Sequence, residues 1–127
     1  MKPHIGFVTV TVSNLKRAKS FYENLIGLEP DVYYEPTRWQ AYAAREKHAQ
    51  FAIIESSNHM PPDQNRVVTF YLDDIEELYG KIKNVVQVIE PIEMTPWGSY
   101  RFQIVDPDGN VLCFVQFDKV RRGNDHQ

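Results

Sequence analysis

The sequence has a single cysteine, Cys113, and no apolar run that approaches the length of a membrane span. One cysteine excludes an internal disulfide, so a cytoplasmic location is expected, and no leader peptide is expected before the first strand-like segment. Positive charge is also scarce, because 14 Lys and Arg are outnumbered by 17 Asp and Glu. A charge balance of this kind does not predict the basic patches by which proteins bind nucleic acids. The expected partner is therefore neither a nucleic acid nor a membrane.

The length of 127 residues predicts one domain with a sizeable core. Residues 5–12 alternate as a strand with two different faces, with valines on one face and Phe7 and threonines on the other. Ser13 or Asn14 is expected to cap a helix that ends at Gly27. Three short strands then follow, around residues 28–34, 39–45 and 50–55.

The same pattern returns after a connection rich in Pro and Asn at residues 57–65. A shift of 60 residues takes the apolar helix positions Leu15, Ala18, Tyr22 and Leu25 to Ile75, Leu78, Ile82 and Val85. The spacing predicts two modules of strand–helix–three strands, at about residues 4–56 and 66–118, with a frayed tail at 119–127. The last two strands form a hairpin around Asp106-Pro107-Asp108-Gly109, preceded by a turn at Pro96-Trp97-Gly98.

One face of each first strand, formed by Val8, Val10 and Val12 in the first module, is expected to pack on its helix, which leaves the other face in need of a cover. If the two sheets curve toward each other, a mixed apolar and polar set lines a shared groove: Phe7, Thr9, Phe51, Ile53, Glu55, Val67, Thr69, Tyr71, Cys113 and Val115. Such a lining is typical of a small-molecule site. The alternative is that the threonines face solvent on a one-sided sheet.

Several motifs at matching spacing resemble the glyoxalase/bleomycin-resistance/dioxygenase superfamily, also called the vicinal-oxygen-chelate proteins. They are Val12-Ser13-Asn14-Leu15, Phe21-Tyr22, Leu25-Ile26-Gly27-Leu28 and Asp106-Pro107-Asp108-Gly109-Asn110. The resemblance covers about residues 5–117. It implies an α+β fold in which two βαβββ modules form a cup-shaped mixed sheet with helices outside. It also implies a homodimer with pockets near the subunit boundary.

Enzymes of that family bind a divalent metal through four side chains, and three of these positions lack their ligand in this sequence. The positions match Phe7, Val67 and Cys113, and Glu55 is the one acid that the resemblance keeps. Phenyl and isopropyl groups have no lone pairs to donate, and one carboxylate with one thiol falls short of a metal site. We therefore expect no metal and no other cofactor.

What remains resembles the metal-free bleomycin-resistance branch, where a Trp after a similar Pro forms a stacking wall. Trp97 matches that position, and Trp39 is a candidate second wall. The expected ligand-binding residues are Phe7, Trp39, Phe51, Glu55, Tyr71, Trp97, Arg101 and Cys113. Cys113 is interpreted there as a small buried hydrophobe, since no neighbouring base is evident.

The leading hypothesis is metal-independent binding or sequestration of a small planar, partly aromatic molecule, with no reaction catalysed. The alternative is a lyase, isomerase or dioxygenase-like enzyme with an atypical site, for which Glu55 and Tyr71 are the only catalytic candidates. A third possibility is a groove plugged by its own Phe7 and Trp97, which leaves a dimeric interaction role.

Overall fold

The computed structural model describes residues 7–43, 50–56, 67–96 and 98–117. The chain divides into two compact units between residues 62 and 63. Each unit holds a four-stranded mixed sheet and a helical segment, so the predicted α+β class with two βαβββ modules is confirmed. The predicted connection at 57–65 and tail at 119–127 lie outside the described residues, and the single-domain assignment stays a prediction.

The first unit follows the predicted order of elements. Its strands are β1 (Phe7–Val12), β2 (Pro30–Tyr34), β3 (Trp39–Tyr42) and β4 (Gln50–Glu55), and its helix α1 (Leu15–Lys19) continues as a π-helical segment (Ser20–Ile26). The strand order is β1-β4-β3-β2, with β1 parallel to β4. Asn14 caps α1 through its side-chain oxygen, which accepts from the Arg17 amide.

The second unit repeats this layout. Its strands are β5 (Val67–Tyr71), β6 (Gln87–Met94), β7 (Ser99–Val105) and β8 (Val111–Phe117), and its helix is α2 (Ile75–Ile82). The strand order is β5-β8-β7-β6, with β5 parallel to β8. Asp74 takes the place of Asn14, since its side chain accepts from the Glu77 amide. None of the helices among the described residues is long and apolar enough to cross a membrane.

Each unit buries an aromatic cluster between its sheet and its helix. In the first unit the Tyr22 ring from the helical segment lies 5.0 Å from Phe51 and 6.2 Å from Tyr42. In the second unit the Phe102 ring lies 5.1 Å from Phe114 and 5.0 Å from Tyr79 of α2. Each core therefore fixes which face of its sheet is turned away from the helix.

The β7–β8 turn is held by the buried carboxylate of Asp106. One oxygen accepts from the backbone amides of Asp108 and Asn110 at 2.9 and 2.8 Å, and the other accepts from the Asn110 side chain at 2.9 Å. Gly109 adopts a φ of 90°, which a residue with a side chain rarely takes. The Asp-Pro-Asp-Gly-Asn motif is thus a structural turn that fixes the register of the hairpin.

Replacing Asp106 with Ala should lower the free energy of unfolding by about 2 kcal/mol or more, because three donors lose a charged acceptor. Asp106→Asn should cost less, since an amide oxygen still accepts from the two backbone amides. Urea unfolding followed by circular dichroism measures both. Equal stability of wild type and Asp106→Ala would contradict this role.

Candidate functional site

Strand register separates the predicted site residues of the first unit into two faces. Phe7 pairs with Gln50 and Val8 with Phe51 on the parallel β1–β4 ladder, and Trp39 pairs with Ile54 on β3–β4. Laterally paired residues share a face and successive residues alternate. We call the face opposite the helix the aromatic face, and its aromatic and hydroxyl side chains are Phe7, Thr9, Thr11, Tyr34 and Trp39.

The Trp39 side chain reaches across the sheet on the aromatic face. Its indole Nε1 donates to Thr9 Oγ1 at 3.3 Å, and its ring meets the Phe7 ring edge-on at a centroid distance of 5.0 Å. Thr9 lies on β1 and Trp39 on β3, with β4 between them, and the β4 partner of Thr9 is the fully buried Ala52. A methyl group at that position leaves room for the indole to cross β4.

Phe51 and Glu55 lie on the opposite face, toward the helix. Phe51 packs against Tyr22 and Tyr42 in the core. The expectation that Phe51 and Glu55 share a sheet face with Phe7 is therefore wrong. The sequence of β4 did not show which of its side chains lie on which face of the sheet, because residues 51–54 are apolar at every position.

Both carboxylate oxygens of Glu55 are engaged within the first unit. Oε2 accepts from the Leu15 amide at 2.6 Å, which is the first N–H of α1, and Oε1 lies 2.8 Å from Arg38 Nε. The same arrangement recurs in the second unit, where Gln116 Oε1 accepts from the Ile75 amide at 2.9 Å. Glu55 and Gln116 are therefore equivalent residues that anchor a helix start to a closing strand.

The two ladders also identify the position on β4 that is equivalent to Cys113. Thr9 pairs with Ala52 as Thr69 pairs with Cys113, and Phe7 is the equivalent of Val67. The four positions that hold the metal in enzymes of the resembled family therefore correspond to Phe7, Ala52, Val67 and Cys113 in this chain, and Glu55 is not one of them. Three of these side chains are hydrocarbons without a lone pair, so the set does not fit a metal ion. Within the described part of the chain, no three His, Cys, Asp or Glu cluster as a metal site requires.

In the second unit, Cys113 and Arg101 lie on the sheet face opposite α2. Cys113 is buried, at 4% exposure, and this burial raises the pKa of its thiol despite the lowering effect of Arg101 and of hydrogen bonds from Gln103 and Thr69. Arg101 Nη2 lies 2.7 Å from Glu90 Oε2. The guanidinium charge is therefore balanced by a carboxylate of the same sheet.

The remaining two predicted residues differ in what the structure says of them. Tyr71 lies on the same face of β5 as Thr69, and it is 70% exposed. Trp97 lies outside the described residues. Next to it, Thr95 and Ser99 are buried and joined by hydrogen bonds, including Oγ to Oγ at 2.8 Å, and Gly98 has a φ of 89°.

Sequence reasoning placed Thr9 in the groove lining but did not predict its contact with Trp39, and it did not predict the contacts of Arg38 and Gln116. Thr9 fixes the indole, Arg38 pairs with Glu55, and Gln116 repeats the contact of Glu55. The repeat carried a usable signal for the last of these, because Gln116 lies near the end of β8 as Glu55 lies at the end of β4. Arg38 had no signal, since its contact depends on a left-handed backbone with a φ of 54°.

Comparison with known families now identifies the class of protein. Residues 4–114 match the Glyoxalase/Bleomycin resistance protein/Dioxygenase superfamily, and the chain belongs to this superfamily. No curated protein matches the chain in a sequence comparison.

Several solved structures share the fold. A member of this superfamily from Sphaerobacter thermophilus DSM 20745 is 25% identical, with a TM-score of 0.73, over 91% of this chain and 98% of its own. TnmS3, an antibiotic binding protein from Streptomyces sp. CB03234, is 24% identical, with a TM-score of 0.74, over 92% and 98%. The fosfomycin resistance protein FosX from Listeria monocytogenes is 17% identical, with a TM-score of 0.73, over 96% and 99%.

Replacing Glu55 with Gln should change stability by less than about 1 kcal/mol, because Gln supplies the same acceptor that Gln116 supplies in the second unit and only a half-exposed ion pair is lost. Glu55→Ala should cost about 1–2 kcal/mol, since the first amide of α1 loses its acceptor as well. Urea unfolding of both variants tests the assignment. A Gln variant as unstable as the Ala variant would contradict it.

Cys113 should react with a thiol reagent at pH 7 at least about tenfold more slowly in the folded protein than in urea. The raised pKa keeps the thiol protonated at neutral pH, so the rate should increase as the pH is raised toward that pKa. Absorbance after addition of Ellman's reagent measures the rate. Fast reaction of the native protein at pH 7 would show that the thiol is accessible and ionised.

Proposed function

We propose that the protein is a metal-independent binding protein that holds a small planar, partly aromatic molecule against the aromatic face of the first unit. The observation that carries the proposal is the edge-to-face pair of Phe7 and Trp39. Phe7 occupies a position at which the enzymes of the resembled family have a metal ligand. The ligand is bound by burial and stacking, and no bond is made or broken.

The chemistry of the inherited positions supports binding over metal catalysis. A Lewis acid needs several nitrogen, oxygen or sulfur donors around one point. Phe7 and Ala52 offer none, and the indole of Trp39 crosses the strand that carries Ala52. This site of the first unit therefore offers an aromatic surface in place of a coordination sphere.

The geometry of Trp39 suits a stacking surface. Its hydrogen bond to Thr9 satisfies the indole N–H and restrains the ring, so little conformational entropy is lost when a flat ligand settles on it. Phe7 is 48% exposed and Tyr34 is 54% exposed, so aromatic area remains available beside the indole. A stacked aromatic pair contributes about 1 kcal/mol beyond the area that it buries.

In the second unit, the charged and ionisable groups that were predicted as ligand contacts carry no unbalanced charge. Arg101 is paired with Glu90 and the Cys113 thiol is protonated, so neither offers an unbalanced charge. Arg101, Cys113 and Tyr71 remain proposed contacts, and Trp97 remains a proposed second wall. Glu55 is not proposed as an acid or base, because both of its oxygens are engaged.

The superfamily adds support at the level of the class. One structural neighbour, TnmS3, is described as antibiotic binding, and another, FosX, as a fosfomycin resistance protein. We propose a comparable protective role for this chain, in a cytoplasmic homodimer.

The two tryptophans allow a direct test by fluorescence. In Trp97→Phe the emission comes from Trp39 alone, and we expect a planar aromatic antibiotic or metabolite from a titrated panel to quench it. In Trp39→Leu the affinity for that compound should fall about tenfold or more, because the stacking surface and its buried area are lost. Treatment with EDTA should leave the affinity unchanged.

Thr9→Val serves as the matched control, since it removes the acceptor of the indole and keeps the side-chain volume. It should retain binding with a smaller loss than Trp39→Leu. The proposal fails if no compound quenches Trp39, or if Trp39→Leu binds every hit as tightly as the wild type. Binding that EDTA abolishes would overturn metal independence.

A further inference from the structure

A second cleft lies on the other side of the first sheet, away from the aromatic face. It has a volume of about 310 Å³ and is lined by Leu15, Lys16, Lys19, Tyr33 and Arg38. Two residues form its apolar surface, namely the buried Leu15 and the ring of Tyr33, which is 40% exposed. The other three are cations. A cavity of this size is at the lower end of the range for small-molecule sites.

The cations are held in place by contacts around the cleft. Arg38 is the one residue other than glycine with a positive φ among the described residues, and its backbone and side chain both contact Glu55: Nε lies 2.8 Å from Oε1, and its carbonyl accepts from the Glu55 amide at 3.2 Å. Lys19 Nζ donates to the buried Gln40 at 2.8 Å and lies 5.7 Å from the centroid of the Tyr33 ring. These restraints reduce the entropy lost when a ligand binds.

Three carboxylates near the cleft equal its three cations in number, and all three contact Lys19 or Arg38. Glu23 lies 3.4 Å from Lys19, and Glu35 and Glu55 lie 3.9 and 2.8 Å from Arg38. Lys16 has no acidic partner among the described residues. Lys16 is therefore the cation of the lining that has no carboxylate of the described residues in contact with it, beside an apolar floor.

We infer that this cleft binds a small aromatic carboxylate, with its ring between Leu15 and Tyr33 and its anionic group at Lys16 and the outer nitrogens of Arg38. Arg38 uses Nε for Glu55, which leaves Nη2 able to donate to a ligand carboxylate. This site is separate from the one proposed on the aromatic face, and it does not depend on that function.

The test is an NMR titration of the full chain with benzoate and with benzamide, its neutral counterpart of the same shape. We expect benzoate to shift the amide signals of the residues that line the cleft, and benzamide to bind several-fold more weakly. Raising the salt concentration should weaken benzoate binding, because exposed charges are screened.

Lys16→Gln should weaken benzoate binding about three- to fivefold, as expected for one exposed charge. Lys81→Gln, an exposed lysine of α2 in the second unit, is the matched control and should leave the affinity unchanged. Equal binding of benzoate and benzamide, equal affinity of Lys16→Gln and wild type, or shifts confined to other residues would overturn the inference. Lys16→Gln is also made in the Trp97→Phe background and titrated with the compound that quenches Trp39, which it should bind with unchanged affinity, so loss of one site is distinguished from loss of the other.

Discussion

One hydrogen bond made twice holds each half of this protein together. In each unit a side-chain oxygen at the end of the closing strand accepts from the first amide of the helix, from Leu15 to Glu55 and from Ile75 to Gln116. This contact joins the helix start to the strand that pairs with the opening strand. It therefore fixes which sheet face the helix covers and which face stays available for ligands. A helix amide that lost this acceptor would be one of the unpaired donors that helix ends must avoid.

Because the Glu55 carboxylate makes this contact, it is not free to act as a metal ligand. Glu55 is the acid that the resemblance suggests as a metal ligand, and the structure assigns it to the helix instead. The position equivalent to Cys113 is Ala52, beneath the path of the Trp39 indole between β3 and β1. At this place the metal donors are absent, and an aromatic ring crosses the strand instead. In the proposed function, apolar burial takes the place of coordination as the means of holding a ligand.

The fold was predictable from the sequence, but the sequence did not show on which face of the sheet each side chain of β4 lies. The shift of 60 residues between the helices and the turn residues Asp106 and Gly109 are local signals, and the structure confirms the modules that they predict. On β1 the alternation of valine with Phe7 and Thr9 also places each side chain correctly. On β4 every residue from Phe51 to Ile54 is apolar, so parity depends on pairing with β1, which only the register shows. Arg38 could not be found for a similar reason, since its role depends on a backbone conformation.

The helix contacts also have a consequence for synthesis of the chain. The acceptor of the Leu15 amide lies 40 residues further along the chain, and the acceptor of the Ile75 amide lies 41 residues further along. The parallel partner of each opening strand is synthesised together with that acceptor, because Glu55 ends β4 and Gln116 lies near the end of β8. Neither half can close on the ribosome until its last strand has emerged, so each is expected to form in a single late step. All strands of the first unit precede the second unit in the chain, so the first unit is expected to fold first during synthesis.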